Sequence, residues 1–245
     1  MDYRIAEMRA IGVVRSPIGD RPAMTPLGVP AAVEVFEEFA PALWRFEKHS
    51  HVWVLAWLDK TGRDALQVTP RGVRDQGDEG LHGVFAVRSP TRPNPIGLTA
   101  ARVLARNGNR IELDRLDFID GTLVIDLKPY LASRDMIYSA RNEQVGKSPS
   151  KEAIRDALLM QAAQFSGAVD ADAEFAAEVL AGFRAELLEF VDPPSWRIRV
   201  PRSRPGLIDA FLAMTRVRFA DDGIALVDGD ELTIEAGGST FTLKL

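Results

Sequence analysis

The densest chemistry in this chain lies in twelve residues, Arg88 to Thr99 (RSPTRPNPIGLT), which hold two arginines, an asparagine, three prolines and a glycine. Each proline locks φ and restricts the residue before it, so Arg88, Arg92 and Asn94 project from stiff backbone. Little ordering entropy then opposes binding, which suits a polyfunctional ligand or a phosphate. A purely structural turn carrying solvated arginines uses the same residues. A second stretch, Asp117 to Tyr130 (DFIDGTLVIDLKPY), sets Asp117 and Asp120 about a tight turn and Lys128-Pro129-Tyr130 at the end of the next strand. Acid, base and phenol are expected to converge there at one barrel mouth. His49 and His51 share one side of a strand, and His82 can approach them, but no acidic partner pattern accompanies them and no metal site is expected. The chain has no cysteine, which excludes a thiolate nucleophile, disulfides, iron–sulfur ligation and cysteine-rich zinc sites.

The elements that must position these residues are short and β-rich. IGVV (11–14), HVWVLAW (51–57), GVFAV (83–87), LTAARVLA (98–105), RIELDRLDFI (110–119) and LVIDL (123–127) are apolar or alternating runs. Turn chemistry at Asn107-Gly108 and Asp120-Gly121 separates them, and six or so strands at this spacing suggest a barrel or a sandwich. A helix is expected from Pro30, with Ala32, Val35, Phe36, Phe39 and Leu43 along one face. Trp53 and Trp57 share the face of His51 and either pack the barrel or stack on a base. After the polar stretch NEQVGKSPS (142–150) the pattern becomes helical. Ser150 can cap a helix bearing Ile154, Leu158 and Phe165, and Asp170 and Asp172 precede a stripe of Phe175, Val179, Phe183, Leu187 and Phe190. WRIRV, a helix opened by Pro205-Gly206, TRVRF, IALVD, ELTIEA and FTLKL complete an α+β region. Domains are expected at 1–142 and 150–245.

The 245 residues are 46% hydrophobic and 27% charged, enough for one sizeable core or two modest ones. The formal net charge of −5 is uneven: residues 1–149 carry about +1 and residues 150–245 about −6. The first part is therefore the better place for a nucleic-acid surface. Arg197, Arg199, Arg202 and Arg204 around Trp196 either form a local basic strand or line the solvent face of an ordinary one. No apolar run reaches the roughly 18 residues a membrane span needs, and the start of the chain lacks a secretory pattern, so a cytoplasmic location is expected.

The motifs RSPTRPNPIGLT and LDFIDGTLVIDLKPYL, preceded by HSHVWVLAWLD and GVFAVRS, resemble the tRNA methyltransferase O family over about residues 10–131. These are β-barrel enzymes dependent on S-adenosyl-L-methionine and unrelated to Rossmann methyltransferases. The resemblance implies an antiparallel seven-stranded barrel, a homodimer, and methylation of N6 of threonylcarbamoyladenosine next to the anticodon. It implies cofactor contacts from Arg88, Leu98 and the turn Asp117-Phe118-Ile119-Asp120. Asp59-Lys60 occupies the place where bacterial relatives carry His-Gln. Arg92, Arg71 and Arg21 are assigned to substrate binding, and Lys128, Tyr130 and Asn94 are the catalytic candidates. Lys128 or Arg92 is expected to stabilise the carbamoyl oxygen or the threonyl carboxylate, and Tyr130 or a carboxylate to assist proton loss. The chain departs from the family after its first R-S-P, where it reads RSPIGDRPAMTPLG, and from residue 150 onward. Two other readings stay open: methylation of another small or macromolecular acceptor, and a non-catalytic module that senses the cofactor or binds RNA.

Overall fold

Strict alternation in His51–Trp57 leaves Val52, Val54 and Ala56 fully buried and turns His51, Trp53, Leu55 and Trp57 the other way. That period of two organises the first half of the computed structural model, which describes residues 7–73, 77–140 and 142–245. The chain folds as two units. One holds the described residues up to Val68 together with Leu81–Ile137; the other holds Thr69–Gly80 and Tyr138–Leu245.

The first unit is a closed antiparallel barrel. Its strands are β1 (Gly12–Arg15), β2 (Val29–Val35), β3 (His51–Trp57), β6 (Ile96–Asn107), β7 (Arg110–Leu116) and β8 (Leu123–Pro129), in the order β1-β2-β7-β6-β3-β8. A separate ribbon joins the two-residue strands β4 (Gln67–Val68) and β5 (His82–Gly83), and a single helical turn, α1 (Ala132–Asp135), follows β8. Val14, Val33, Val52, Val54, Ile111 and Leu116 fill the interior at 0% exposure. Each such aliphatic side chain contributes about 1.5–3 kcal/mol of hydrophobic stabilisation.

The barrel closes with six strands, not seven, and two expected elements change type. The stretch from Pro30 is not a helix at first. It runs as β2, with Ala31, Val33 and Val35 inward, and only then enters a 3₁₀ segment, Glu37–Leu43. The apolar positions satisfied both periods, and Pro30 is tolerated because it sits where the β2–β7 register shifts between Val29 and Ala31. GVFAV contributes only Gly83 to a strand, because an arginine side chain takes up the carbonyls of Val84 and Val87. The β6–β7 turn also lies one residue later than expected. Asn107 still pairs with Arg110, and Gly108, at φ 64°, is the first of two turn residues, a position that suits glycine.

In the second unit, β9 (Arg197–Pro201), β10 (Ile224–Val227), β11 (Glu231–Ala236) and β12 (Ser239–Lys244) form a sheet in the order β10-β9-β11-β12. The parallel pair β9–β10 is joined by α4 (Gly206–Thr215). TRVRF is not a strand: α4 ends at Thr215, and Arg216 adopts a left-handed conformation. Helices α2 (Lys151–Ser166) and α3 (Ala171–Leu187) share the core with the sheet. Ser150 Oγ accepts from Ala153 N, and Asp170 Oδ1 accepts from Ala173 N, as their cap positions require. The buried face of α3 is Ala173, Ala176, Ala177, Leu180 and Ala181 with Phe183, whereas Leu187 is exposed. Arg184, 9% exposed, is held by Gln144 Oε1 at 2.8 Å and Asp192 at 3.6 Å. Burial pulls its pKa below the ordinary guanidinium value. Among the described residues no helix is long and apolar enough to cross a membrane.

Gly97 supports the inner end of β6. A Cβ there would fall against Phe118 Cε1 and 3.2 Å from Leu58 Cδ2, and Phe118 is 3% exposed with little room to retreat. Gly97→Ala is expected to cost about 1–3 kcal/mol by overpacking, read as a lower urea midpoint; an unchanged midpoint would show that Phe118 moves freely.

Candidate functional site

β6 changes partners along its length, and the site forms where it does. Ile96–Arg102 pairs with β3, whereas the ladder to β7 begins only at Val103. Between β6 and the end of β7, side chains replace the missing backbone bonds. Arg102 N donates to Asp114 Oδ1 at 2.7 Å, Thr99 Oγ1 donates to Asp117 Oδ1, and Arg88 Nη2 donates to the carbonyl of Leu98. The Phe118 ring lies below Gly97. Arg88, Leu98, Asp117 and Phe118 are thus brought together from separate parts of the chain.

Two loops frame this edge. In the one after β3, Leu58 N donates to Pro95 O at 2.8 Å, and the Thr61 hydroxyl lies 2.9 Å from Leu58 O and 3.0 Å from Pro90 O. Arg63 Nε donates to Pro93 O at 2.9 Å, with its guanidinium 5.4 Å from the Trp57 ring centroid. Asp59 and Lys60 sit exposed in this loop. The turn before β8 is pinned to the residues after β1: Asp120 Oδ1 accepts from Ser16 N at 3.0 Å, and Asp120 N donates to Ile18 O at 2.7 Å. Thr122 Oγ1 donates to Ile119 O at 2.7 Å and closes the turn. Beside Asp120, a shallow groove of about 380 Å³ runs over Ala32 between Arg15, Arg110 and Glu112. Its ions are already matched, Arg15 to Glu34 at 2.8 Å and Arg110 to Glu112 at 2.6 Å. The Glu34 carboxylate raises the Arg15 pKa above its ordinary value.

Several expected assignments change. Arg92 does not project outward: its guanidinium donates to Ser89 O at 2.6 Å, Val84 O at 2.8 Å and Val87 O, so it ties its own loop together. Lys128, Tyr130 and Asn94 do not converge. Lys128 pairs in register with Trp53, and Tyr130 N donates to His51 O, whereas Asn94 precedes Ile96, which pairs with Trp57. Four residues of extended β3 separate the two levels, about 13 Å. The Asp117–Asp120 turn likewise stands at the start of β8 and Lys128 and Tyr130 at its end, so acid, base and phenol do not share a mouth. On that far part of the sheet, Lys128 Nζ pairs with Asp126 at 2.7 Å, and the Tyr130 ring lies 5.5 Å from Trp53 and 6.3 Å from His51. Arg71 belongs to the second unit, and Arg21 lies in the turn closed by Met24 N on its carbonyl at 3.2 Å. The four arginines about β9 do not make a free basic strand either. Arg197 and Arg199 pair with Asp222, Arg202 with Asp228 and Arg204 with Asp172.

Sequence reasoning missed Thr61, Arg63 and Thr99, which reach residues 18 to 30 positions away, and Phe85. Phe85 is 82% exposed between the two carbonyls that Arg92 clamps; an apolar residue inside an apparent strand gave no such signal.

With this geometry in place, comparison with known proteins is decisive. Residues 20–136 match the family model of the tRNA-methyltransferase O N-terminal domain. An S-adenosyl-L-methionine-binding protein of Archaeoglobus fulgidus is 37% identical over 141 residues, 56% of this chain and 98% of that protein. The chain belongs to the tRNA-methyltransferase O family. A second A. fulgidus protein, a probable S-adenosyl-L-methionine-binding protein, is 37% identical over 171 residues, and the match spans 66% of this chain but 44% of that one. The human tRNA (adenine(37)-N6)-methyltransferase is 40% identical over 101 residues, 41% of this chain and 22% of its own length.

Because one guanidinium holds three carbonyls, Arg92→Ala is expected to loosen residues 84–92, raising their amide hydrogen exchange at least tenfold. Arg92→Lys, which lacks the planar fork, should restore little of the protection. Unaltered exchange in Arg92→Ala would show that the prolines alone hold the loop.

Proposed function

We propose that the chain is an S-adenosyl-L-methionine-dependent methyltransferase that methylates N6 of the threonylcarbamoyladenosine beside the tRNA anticodon. The observation that carries the reading is the meeting of Arg88, Leu98, Thr99 and Asp117 on the unpaired edge of β6, in a chain whose relatives are named for binding this cofactor or for methylating tRNA adenine.

The donor set fits the cofactor. Asp117 is exposed and uses one carboxylate oxygen on Thr99, leaving the other for ribose hydroxyls or the amino group. Arg88 is exposed beside the Leu98 backbone and offers its remaining N–H groups to the carboxylate of the amino-acid part. Ile96 and Leu98, 37% and 40% exposed, offer apolar surface to the adenine. When bound, the cofactor supplies a methyl group already activated on a sulfonium, so the protein mainly has to align acceptor and donor.

The acceptor nitrogen is part of a urea-like group with a delocalised lone pair, and it sheds its proton as the new bond forms. Lys128, tethered by Asp126, presents positive charge to the threonyl carboxylate, the end of the acceptor that points away from the reacting nitrogen, with Tyr130, braced by Trp53, at the same end, and a carboxylate on the cofactor side assists proton loss. The acceptor lies along the outer face of β3, reaching from the Lys128 level toward Trp57. Asp120 and Arg92 act by holding the turn and the loop in place.

Incubation with labelled S-adenosyl-L-methionine and tRNA carrying or lacking threonylcarbamoyladenosine, followed by mass spectrometry of the nucleosides, tests the substrate. A one-methyl gain on the modified nucleoside alone is expected; a gain elsewhere or none would refute it. Asp117→Ala is expected to weaken cofactor binding roughly 10- to 100-fold in calorimetry, the range for losing a charged hydrogen-bond partner, and equal affinity would remove Asp117 from the cofactor site.

A further inference from the structure

Trp44 is 79% exposed, although tryptophan has the largest apolar surface of any side chain. It sits in the connection from β2 to β3, before the start of β3, whereas the motif loops follow its end. About 20 Å of strand separates the two levels. The segment bearing Trp44 is firmly built. Arg106 Nη1 donates to Leu43 O at 3.0 Å and its Nε to Gly108 O at 2.8 Å, tying the segment to the β6–β7 hairpin. Arg45 takes a left-handed conformation at φ 64°, unusual for a residue with a Cβ. Its guanidinium lies 6.0 Å from the Trp44 ring centroid.

The charges around this ring are not neutralised. Among the described residues Arg45 and Lys48 have no carboxylate partner, and Glu47 is engaged by Arg106 at 3.4 Å. Glu37 and Glu38 stand at the opposite end of the 3₁₀ segment, about 12–14 Å along its axis. The second unit is the reverse. From Lys147 onward every lysine and arginine except Arg216 has a carboxylate within 4.0 Å, and Arg216 donates to Ala140 O. A polyanion therefore finds available cations on the barrel.

We propose that Trp44, with Arg45 and Lys48, is a stacking platform for an unpaired base of the tRNA substrate, at a distance from the methyl-transfer site. An exposed ring flanked by uncompensated cations meets both demands of a nucleic-acid strand, a π face for a base and positive charge for its phosphates. The inference rests on the tRNA reading above and adds the part of the protein that holds the RNA.

The test measures anisotropy of a fluorescein-labelled anticodon stem–loop RNA with the full chain, alongside methyl transfer, cofactor calorimetry and sedimentation. Trp44→Ala is expected to weaken RNA binding roughly 5- to 100-fold and to raise the KM for RNA, with kcat, cofactor affinity and self-association unchanged. Trp44→Phe should restore most of the affinity, and Lys48→Glu should lower it and flatten its salt dependence. Unchanged affinity in Trp44→Ala while the wild type methylates tRNA would overturn the platform alone. RNA binding that depends on Trp44 without any methylation would overturn the methyltransferase reading alone. A wild type without RNA affinity would overturn both, and a Trp44→Ala defect in self-association would make the ring a protein contact instead.

Discussion

The switch of partners within β6 is the constraint on which the first unit turns. Each strand of a closed barrel has a neighbour on either edge, as β3 has β6 and β8, but β6 does not pair with both of its neighbours over its whole length. It pairs with β3 over its first seven residues and meets β7 from Val103, across a register shift between Val103 and Ala105. Backbone groups left between the strands have to be satisfied, and Arg88 and Asp114 do this with side chains while Thr99 bridges the gap to the Asp117 carboxylate. The barrel can close and still keep polar, partly exposed groups at one place on its wall. A complete ladder would have buried the same carbonyl of Leu98 in the sheet.

The loops that complete the site are stiff for two different reasons. Proline restricts the backbone of residues 90–95, and Arg92, Arg63 and Thr61 tie that loop to itself and to the segment after β3. The turn at Asp117–Asp120 has no proline and relies on hydrogen bonds to the residues after β1. Side chains that carry no chemistry therefore position those of the candidate site, in a barrel that has no glycine-rich turn and helix of the Rossmann kind. Arg92 shows the cost of reading an arginine as a ligand by default. Five donors in a planar fork satisfy loop carbonyls as well as they satisfy a phosphate.

The two units also manage charge differently. In the second, acids outnumber bases and from Lys147 onward nearly every cation sits within reach of a carboxylate; in the barrel, several cations, Arg45 and Lys48 among them, stand without one among the described residues. Exposed ion pairs contribute little to stability, but they remove cations from the surface available to a polyanion. On the proposed reading that division favours the barrel as the RNA-facing part, while the α+β unit is held by its own core of Leu180, Phe211, Ile198 and Ile234.

The sequence by itself determined a β-rich first part, a barrel or a sandwich by period and a barrel by the family motifs, and the caps at Ser150 and Asp170, because each is encoded by local period, turn chemistry or contiguous residues. It misread residues 30–35 because apolar positions there satisfy both a helical and a strand period, and burial on the β7 side decides between them. It misread GVFAV because nothing local reveals that Arg92 will claim two of its carbonyls. Within the candidate site, Arg88, Leu98 and the Asp117–Asp120 turn were legible as motif, whereas Thr61, Arg63 and Thr99 were not, since their partners lie elsewhere in the chain. Only the tertiary structure could separate Asn94 from Lys128 and Tyr130: distance along an extended strand is invisible in a motif, and strand register sets which side chains stand at the same level.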